Sequence, residues 1–148
     1  IRLTAYPVEA AIAEKFHVMI VRDLRNSRMK DYYDIWTLSR NCSIASDRLI
    51  SAIQSTFERR GTPLPNVAPP SLTEAFHGDP AHKAQWNAFV RRIGEPALAA
   101  DFGTVVSSIL EFVMPVITRG TLGSGSARWA PGGPWSVDGT GGAAKLPQ

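Results

Sequence analysis

The stretch YPVEAAIAEKFHVMIVRDLRNSRMKDYYDIWTL, Tyr6 to Leu38, holds two helical periodicities separated by a short polar turn. Pro7 suits the first turn of a helix, where its missing N–H costs nothing, and Glu9 follows where the helix dipole favours negative charge. Val8, Ile12, Phe16, Met19 and Ile20 recur at three- and four-residue spacing, which predicts an amphipathic helix over about residues 7–22. Asn26 or Ser27 can cap a second helix over about 28–40 through a side-chain oxygen.

Outward from this pair the pattern stays helical. Ser46 or Asp47 is placed to cap a third helix with the stripe Leu49, Ile50, Ile53 and Phe57, and Gly61 stands where a left-handed closing residue belongs. The run 62–70 holds four prolines and reads as a loop. Asp79-Pro80 is a cap followed by an N1 proline, opening a helix through Trp86, Phe89, Val90 and Ile93 that Gly94 closes. A last, strongly apolar helix starts near Pro96 or Gly103 and reaches Ile117, with Pro115 marking its end. The fold class is therefore mainly α over residues 1–118. Residues 119–148 turn to Gly, Ser, Ala and Pro, with Trp129, Trp135, Val137 and Leu146 scattered among them, and are expected to form a disordered Gly/Pro-rich tail.

Composition narrows little. At 148 residues, 44% hydrophobic and 20% charged, the chain has the make-up of an ordinary globular protein. A lone Cys42 allows no internal disulfide and no Cys/His spacing resembles a zinc site, so a cytoplasmic setting is expected. The longest apolar stretch, residues 105–117, contains Ser107, Ser108 and Glu111 and is shorter than the roughly 20 residues of a membrane span. The net charge of +3 is compatible with phosphate-bearing partners without requiring them. The chain opens at Ile1 and enters a helix within a few residues, which reads as part of a longer protein.

Lys15 falls beside Val8, Ile12 and Met19, inside the apolar arc of the first helix. Either it snorkels or pairs with a carboxylate from another helix, or it stands at a cleft wall as a point charge for a phosphate. Asp31, Ile35 and Leu38 place Asp31 on an apolar stripe of the second helix, with Asp34 three residues on. Such a carboxylate pair can help hold magnesium, orient a base or accept from arginine, or be a solvated or salt-bridged face. Arg22, Arg25, Arg28 and Lys30 gather at the turn between the helices, as a triphosphate or RNA contact or as a basic surface loop. His17 lies on the polar side and is expected to be exposed, while Tyr32, Tyr33 and Trp36 read as packing residues. Arg59-Arg60 and Arg91-Arg92 sit at helix ends, where the dipole favours positive charge. The string Gly123 to Ser126 has no hydrophobic strand before it and reads as linker.

Ala13-Glu14-Lys15, followed after a short loop by Arg28-Met29-Lys30-Asp31-Tyr32-Tyr33-Asp34, resembles the third and fourth motifs of the AbiEii/AbiGii nucleotidyltransferase toxin family. FERRGTPLP (57–65), SLTEAF (71–76) and QWNAFVRR (85–92) are similar to the helical C-terminal part of such proteins, so the resemblance spans about residues 3–118. It implies the helical C-terminal region of a polymerase-beta-like nucleotidyltransferase, a toxin of toxin–antitoxin or phage-defence systems. Some members of that family transfer a nucleotide from NTP to the acceptor end of tRNA, with Mg2+ as cofactor. On this pattern Lys15 binds the triphosphate, Asp34 and Asp31 complete the active centre, and Arg28, Lys30 and Glu14 support or contact substrate.

The family's first two motifs, a Gly-Ser turn and a strand-borne Asp-x-Asp that holds the metals, have no counterpart in this sequence. The expectation is a truncated protein lacking the N-terminal nucleotidyltransferase half, inactive alone and binding neither metal nor NTP by itself, with a cognate antitoxin and tRNA as partners and no membrane. The alternatives are a non-catalytic helical interaction module for antitoxin or RNA, and a helix-turn-helix DNA reader. The reader is disfavoured because Asp31 and Asp34 would repel the DNA backbone.

Overall fold

The computed structural model describes residues 7–94, 101–118 and 126–137. Helix α1 (Pro7–Arg22) buries Ile12, Ala13, Phe16 and Met19 completely, and packs chiefly against α3 (Ser46–Arg59) and α2 (Met29–Asn41). A 3-10 turn, Asp23–Arg25, joins α1 to α2, with Asp23 in the left-handed region at φ 54°. α2 has no side-chain cap, since Asn26 Oδ1 instead accepts from the Arg28 N–H at 3.1 Å, one residue before the helix.

α3 buries Leu49, Ile53 and Phe57, and Gly61 follows at φ 67° as its position predicts. Neither Ser46 nor Asp47 caps it: the helix begins at Ser46, whose Oγ accepts from the Ala127 N–H at 2.8 Å. The proline loop leads through a 3-10 turn, Pro70–Leu72, into a four-residue helix α4 (Glu74–His77), too short to leave a periodicity. α5 (Pro80–Ile93) is capped as expected, Asp79 Oδ2 accepting from the His82 N–H at 3.2 Å, and Gly94 ends it at φ 68°. α6 (Phe102–Ile117) starts under an Asp101 cap and continues two residues past Pro115, because a proline in the final turn removes one N–H without preventing the bonds on either side of it.

The mainly α class holds, with one correction. Within the expected disordered tail, residues 126–137 form an antiparallel hairpin, β2 (Ala127–Trp129) and β3 (Trp135–Val137), and β2 pairs with β1 (Ile44–Ala45). The rest of the expected tail lies outside the described residues. The physical reason is aromatic area. Trp129 and Trp135 pack on Phe112 of α6 with ring centroids at 4.8 and 5.8 Å, and their indole N–H groups donate to Ser39 O at 2.7 Å and Phe112 O at 2.8 Å. Two tryptophans with satisfied N–H groups bury enough surface to offset the ordering of a twelve-residue segment that composition alone marks as linker.

Candidate active site at the junction of the first two helices

The 3-10 turn at Asp23 leads the chain into α2, which packs against α1 and brings Lys15 against residues of that helix. Lys15 Nζ lies 3.0 Å from Asp34 Oδ2 and 3.7 Å from Asp31 Oδ1. Arg28 Nε donates to Asp31 Oδ2 at 2.8 Å, and Lys30 Nζ to Asp34 Oδ2 at 2.8 Å. Three cations thus surround two carboxylates, a net charge of +1 in one cluster.

Exposure is graded across the cluster. The Asp31 side chain is 2% exposed and Asp34 18%, whereas Lys15 is 26%, Arg28 51% and Lys30 72% exposed. The carboxylates form the base and the cations the rim. The hydrogen bond and charge of Asp34 raise the Lys30 pKa above its ordinary value, and those of Asp31 do the same for Arg28. Both rim residues remain cationic at any physiological pH.

Tyr32 fixes the roll of α2. It is fully buried between Phe76 and Phe102, its hydroxyl donates to Ser71 O at 2.9 Å, and burial pushes its pKa up. With Tyr32 pointing into the core, the adjacent Asp31 can only turn toward α1 and its own helix start. Trp36 is buried and Tyr33 half-buried against Phe89 of α5, as packing residues should be.

Of the residues singled out by sequence, Lys15, Arg28, Lys30, Asp31 and Asp34 come together, and Glu14 does not. One residue along the helix, Glu14 turns to α3 and accepts from Arg59 and Arg60, each at 2.8 Å. Arg22 and Arg25 stand exposed at the corner and take no part in the ion pairs of the described residues. His17 corrects an expectation: it is buried, 2.8 Å from Thr62 Oγ1 and edge-on to Phe57. Desolvation, and then the charge of Arg60, lower its pKa.

Asp31 and Asp34 are already occupied by lysine and arginine, and among the described residues no three His, Cys, Asp or Glu side chains are grouped to hold a metal ion. This donor set does not fit a magnesium site. Lys15, Arg28 and Lys30 can each keep their carboxylate and turn a remaining N–H to an anion such as a phosphate oxygen. No helix among the described residues is long and apolar enough to cross a membrane.

Sequence reading misses the wall beside this cluster. Gln85, Ala88, Phe89, Arg92 and Ile93 of α5 border a groove whose other side is Ser27 to Asp31. Their spacing marks one helical face, but nothing in the sequence says that this face meets the start of α2.

No curated protein and no solved structure matches the chain. A family model described as "Nucleotidyl transferase AbiEii toxin, Type IV TA system" matches residues 1–108, which include the whole Lys15–Asp34 cluster and both walls of the groove. The chain belongs to the AbiEii nucleotidyl transferase toxin family of type IV toxin–antitoxin systems.

Proposed function

We propose that this chain supplies the phosphate-binding, helical side of a nucleotidyl-transfer site, the family's transfer being from an NTP to tRNA, and that Lys15 is the residue that takes the triphosphate. The observation that carries this reading is the convergence of Lys15 with Asp31 and Asp34 across two helices, at 3.7 and 3.0 Å. Phosphoryl-group transfer asks the protein mainly for positioning and for cations where charge develops. Lys15 neutralises the phosphates, Asp34 and Asp31 hold its ammonium in place, and Arg28 and Lys30 reach substrate from the rim. Glu14 contributes only by tying α1 to α3.

The sequence contains no Asp-x-Asp, and its two clustered carboxylates are held by cations. In this reading Mg2+ is held by a nucleotidyltransferase core that the family places before these helices, and the chain alone transfers nothing. Its partners are that core, tRNA and the cognate antitoxin that a type IV system implies. It acts in the cytoplasm, where NTP and tRNA are found, in a defence role. The missing Asp-x-Asp also favours a second reading, a binding module without chemistry, which shares the anion site.

Binding of each NTP to the chain joined to such a nucleotidyltransferase core, measured by microscale thermophoresis, is expected to weaken at least tenfold in Lys15→Ala. Incubation of the chain alone with α-labelled NTPs and tRNA is expected to leave the RNA unlabelled. NTP binding unchanged in Lys15→Ala removes the triphosphate role, and labelled RNA removes the claim that the chain is inactive alone.

A further inference from the structure

The open groove between the start of α2 and the outer face of α5 has a volume of about 740 Å³. That is inside the range of about 300–1,000 Å³ typical of ligand sites. Its rim carries Arg28 and Lys30 on the α2 side and Arg92 on the α5 side, with Gln85 beside them, and Met29 and Phe89 forming an apolar floor. Among the described residues the only carboxylate bordering it is Asp31, which is 2% exposed and already paired with Lys15 and Arg28. Arg28 and Lys30 are paired with Asp31 and Asp34, and the net +1 of that cluster together with Arg92 leaves the groove positive.

A helix-end charge is a sufficient account of Arg92 in the sequence, yet its setting goes further. Its guanidinium carbon sits 5.8 Å from the centre of the Phe89 ring, which keeps the side chain lying along the groove, and no carboxylate of the described residues pairs with it. Arg28 uses its Nε on Asp31, and the other N–H groups of a half-exposed guanidinium stay available. Cations on two facing walls match a ligand of repeating phosphates.

We propose that the α2–α5 groove binds the phosphodiester backbone of a single-stranded oligonucleotide, with Arg92 as the α5 contact opposite Arg28 and Lys30. The identity of the strand as the acceptor of transfer rests on the functional reading above. Its test is made without NTP and turns on Arg92, which the NTP reading does not use, so the two readings fail separately.

Fluorescence anisotropy of a 5′-labelled twelve-nucleotide oligouridylate, titrated with the full chain without NTP, provides the test. Three phosphate contacts give a salt slope of about −2, or roughly 20-fold weaker binding from 50 to 200 mM salt. Arg92→Ala is expected to weaken binding about 5–10-fold and to flatten the slope by about 0.7, the share of one contact. Gln85→Lys is expected to tighten it two- to fivefold, a gain that misfolding cannot produce. Arg59→Ala, a distant basic control on α3, should stay within twofold. Wild-type affinity and slope in Arg92→Ala, or an equal loss in Arg59→Ala, would each overturn the assignment.

Discussion

Glu14 and Lys15 are neighbours in the chain, and each ends in an ion-pair network that ties α1 to another helix, yet the networks differ in kind. Glu14 meets Arg59 and Arg60 with its side chain 39% exposed, while Lys15 meets Asp31 and Asp34, the first of which is only 2% exposed. Water can replace either partner in the outer network, so its net worth is about 0–1 kcal/mol. In the inner network Asp31 has no water to fall back on, and its charge is tolerated only because Lys15 and Arg28 are there. A residue shift of one, about 100° around a helix, separates a surface strap from an ion cluster built on a buried carboxylate.

The largest expected effect comes from stripping Asp31 of both cations. Lys15→Met combined with Arg28→Ala leaves a buried carboxylate without a partner, and urea unfolding should show a loss of about 3–5 kcal/mol. Lys15→Met alone should cost clearly less, since Arg28 still bonds Asp31 at 2.8 Å. Equal losses in the single and double variants would mean that Arg28 does not share the charge. Next comes Tyr32→Phe, which removes the hydroxyl bonded to Ser71 O and leaves that buried carbonyl unpaired, costing about 1–2 kcal/mol by the same measurement.

How far the sequence discloses this contrast depends on the residue. The apolar arcs of α1 and α2 put Lys15 and Asp31 where charge is unexpected, and that anomaly in the order of residues is enough to locate the inner network. Glu14 groups with them by motif, because a motif runs along the chain, whereas contact follows the helix surface. His17 misleads for a related reason: the face that is polar on α1's own wheel is covered by the proline loop at Thr62, a tertiary contact without local signal. The hairpin at 127–137 has a signature, Ala127 and Trp129 alternating with polar Arg128 and a Pro-Gly-Gly-Pro turn before Trp135, but glycine-rich composition outweighs it. Gly133 is required there, at φ 82° and with space for a Cβ only 2.5 Å from the Trp129 ring.

A smaller effect separates the networks by salt. Glu14→Gln is expected to lower stability by less than about 1 kcal/mol at low ionic strength and by almost nothing in 1 M NaCl, where the Debye length is about 3 Å. The Lys15→Met loss should persist in that salt, because Asp31, the carboxylate it leaves short of a partner, is only 2% exposed. A Glu14→Gln loss that survives 1 M salt would make the outer strap a structural bond as strong as the inner one.

The smallest effect is also on the outer side, at His17, where Arg60 lowers the pKa and Glu14 raises it, both less than burial lowers it. A folded-state pKa below the ordinary 6.5 means that the unfolded chain binds the proton more readily, so stability rises with pH in that window. The contribution is fully present above pH 6.5 and is lost as pH falls from there toward the folded-state value. Urea midpoints between pH 7.5 and 5 should therefore decline more steeply in the wild type than in His17→Gln, which keeps a polar group for Thr62 but does not titrate. Glu14→Gln should steepen the decline, because the one charge that favours the protonated ring is gone while Arg60 remains. Parallel curves for the wild type and His17→Gln would show that His17 does not couple the outer network to folding.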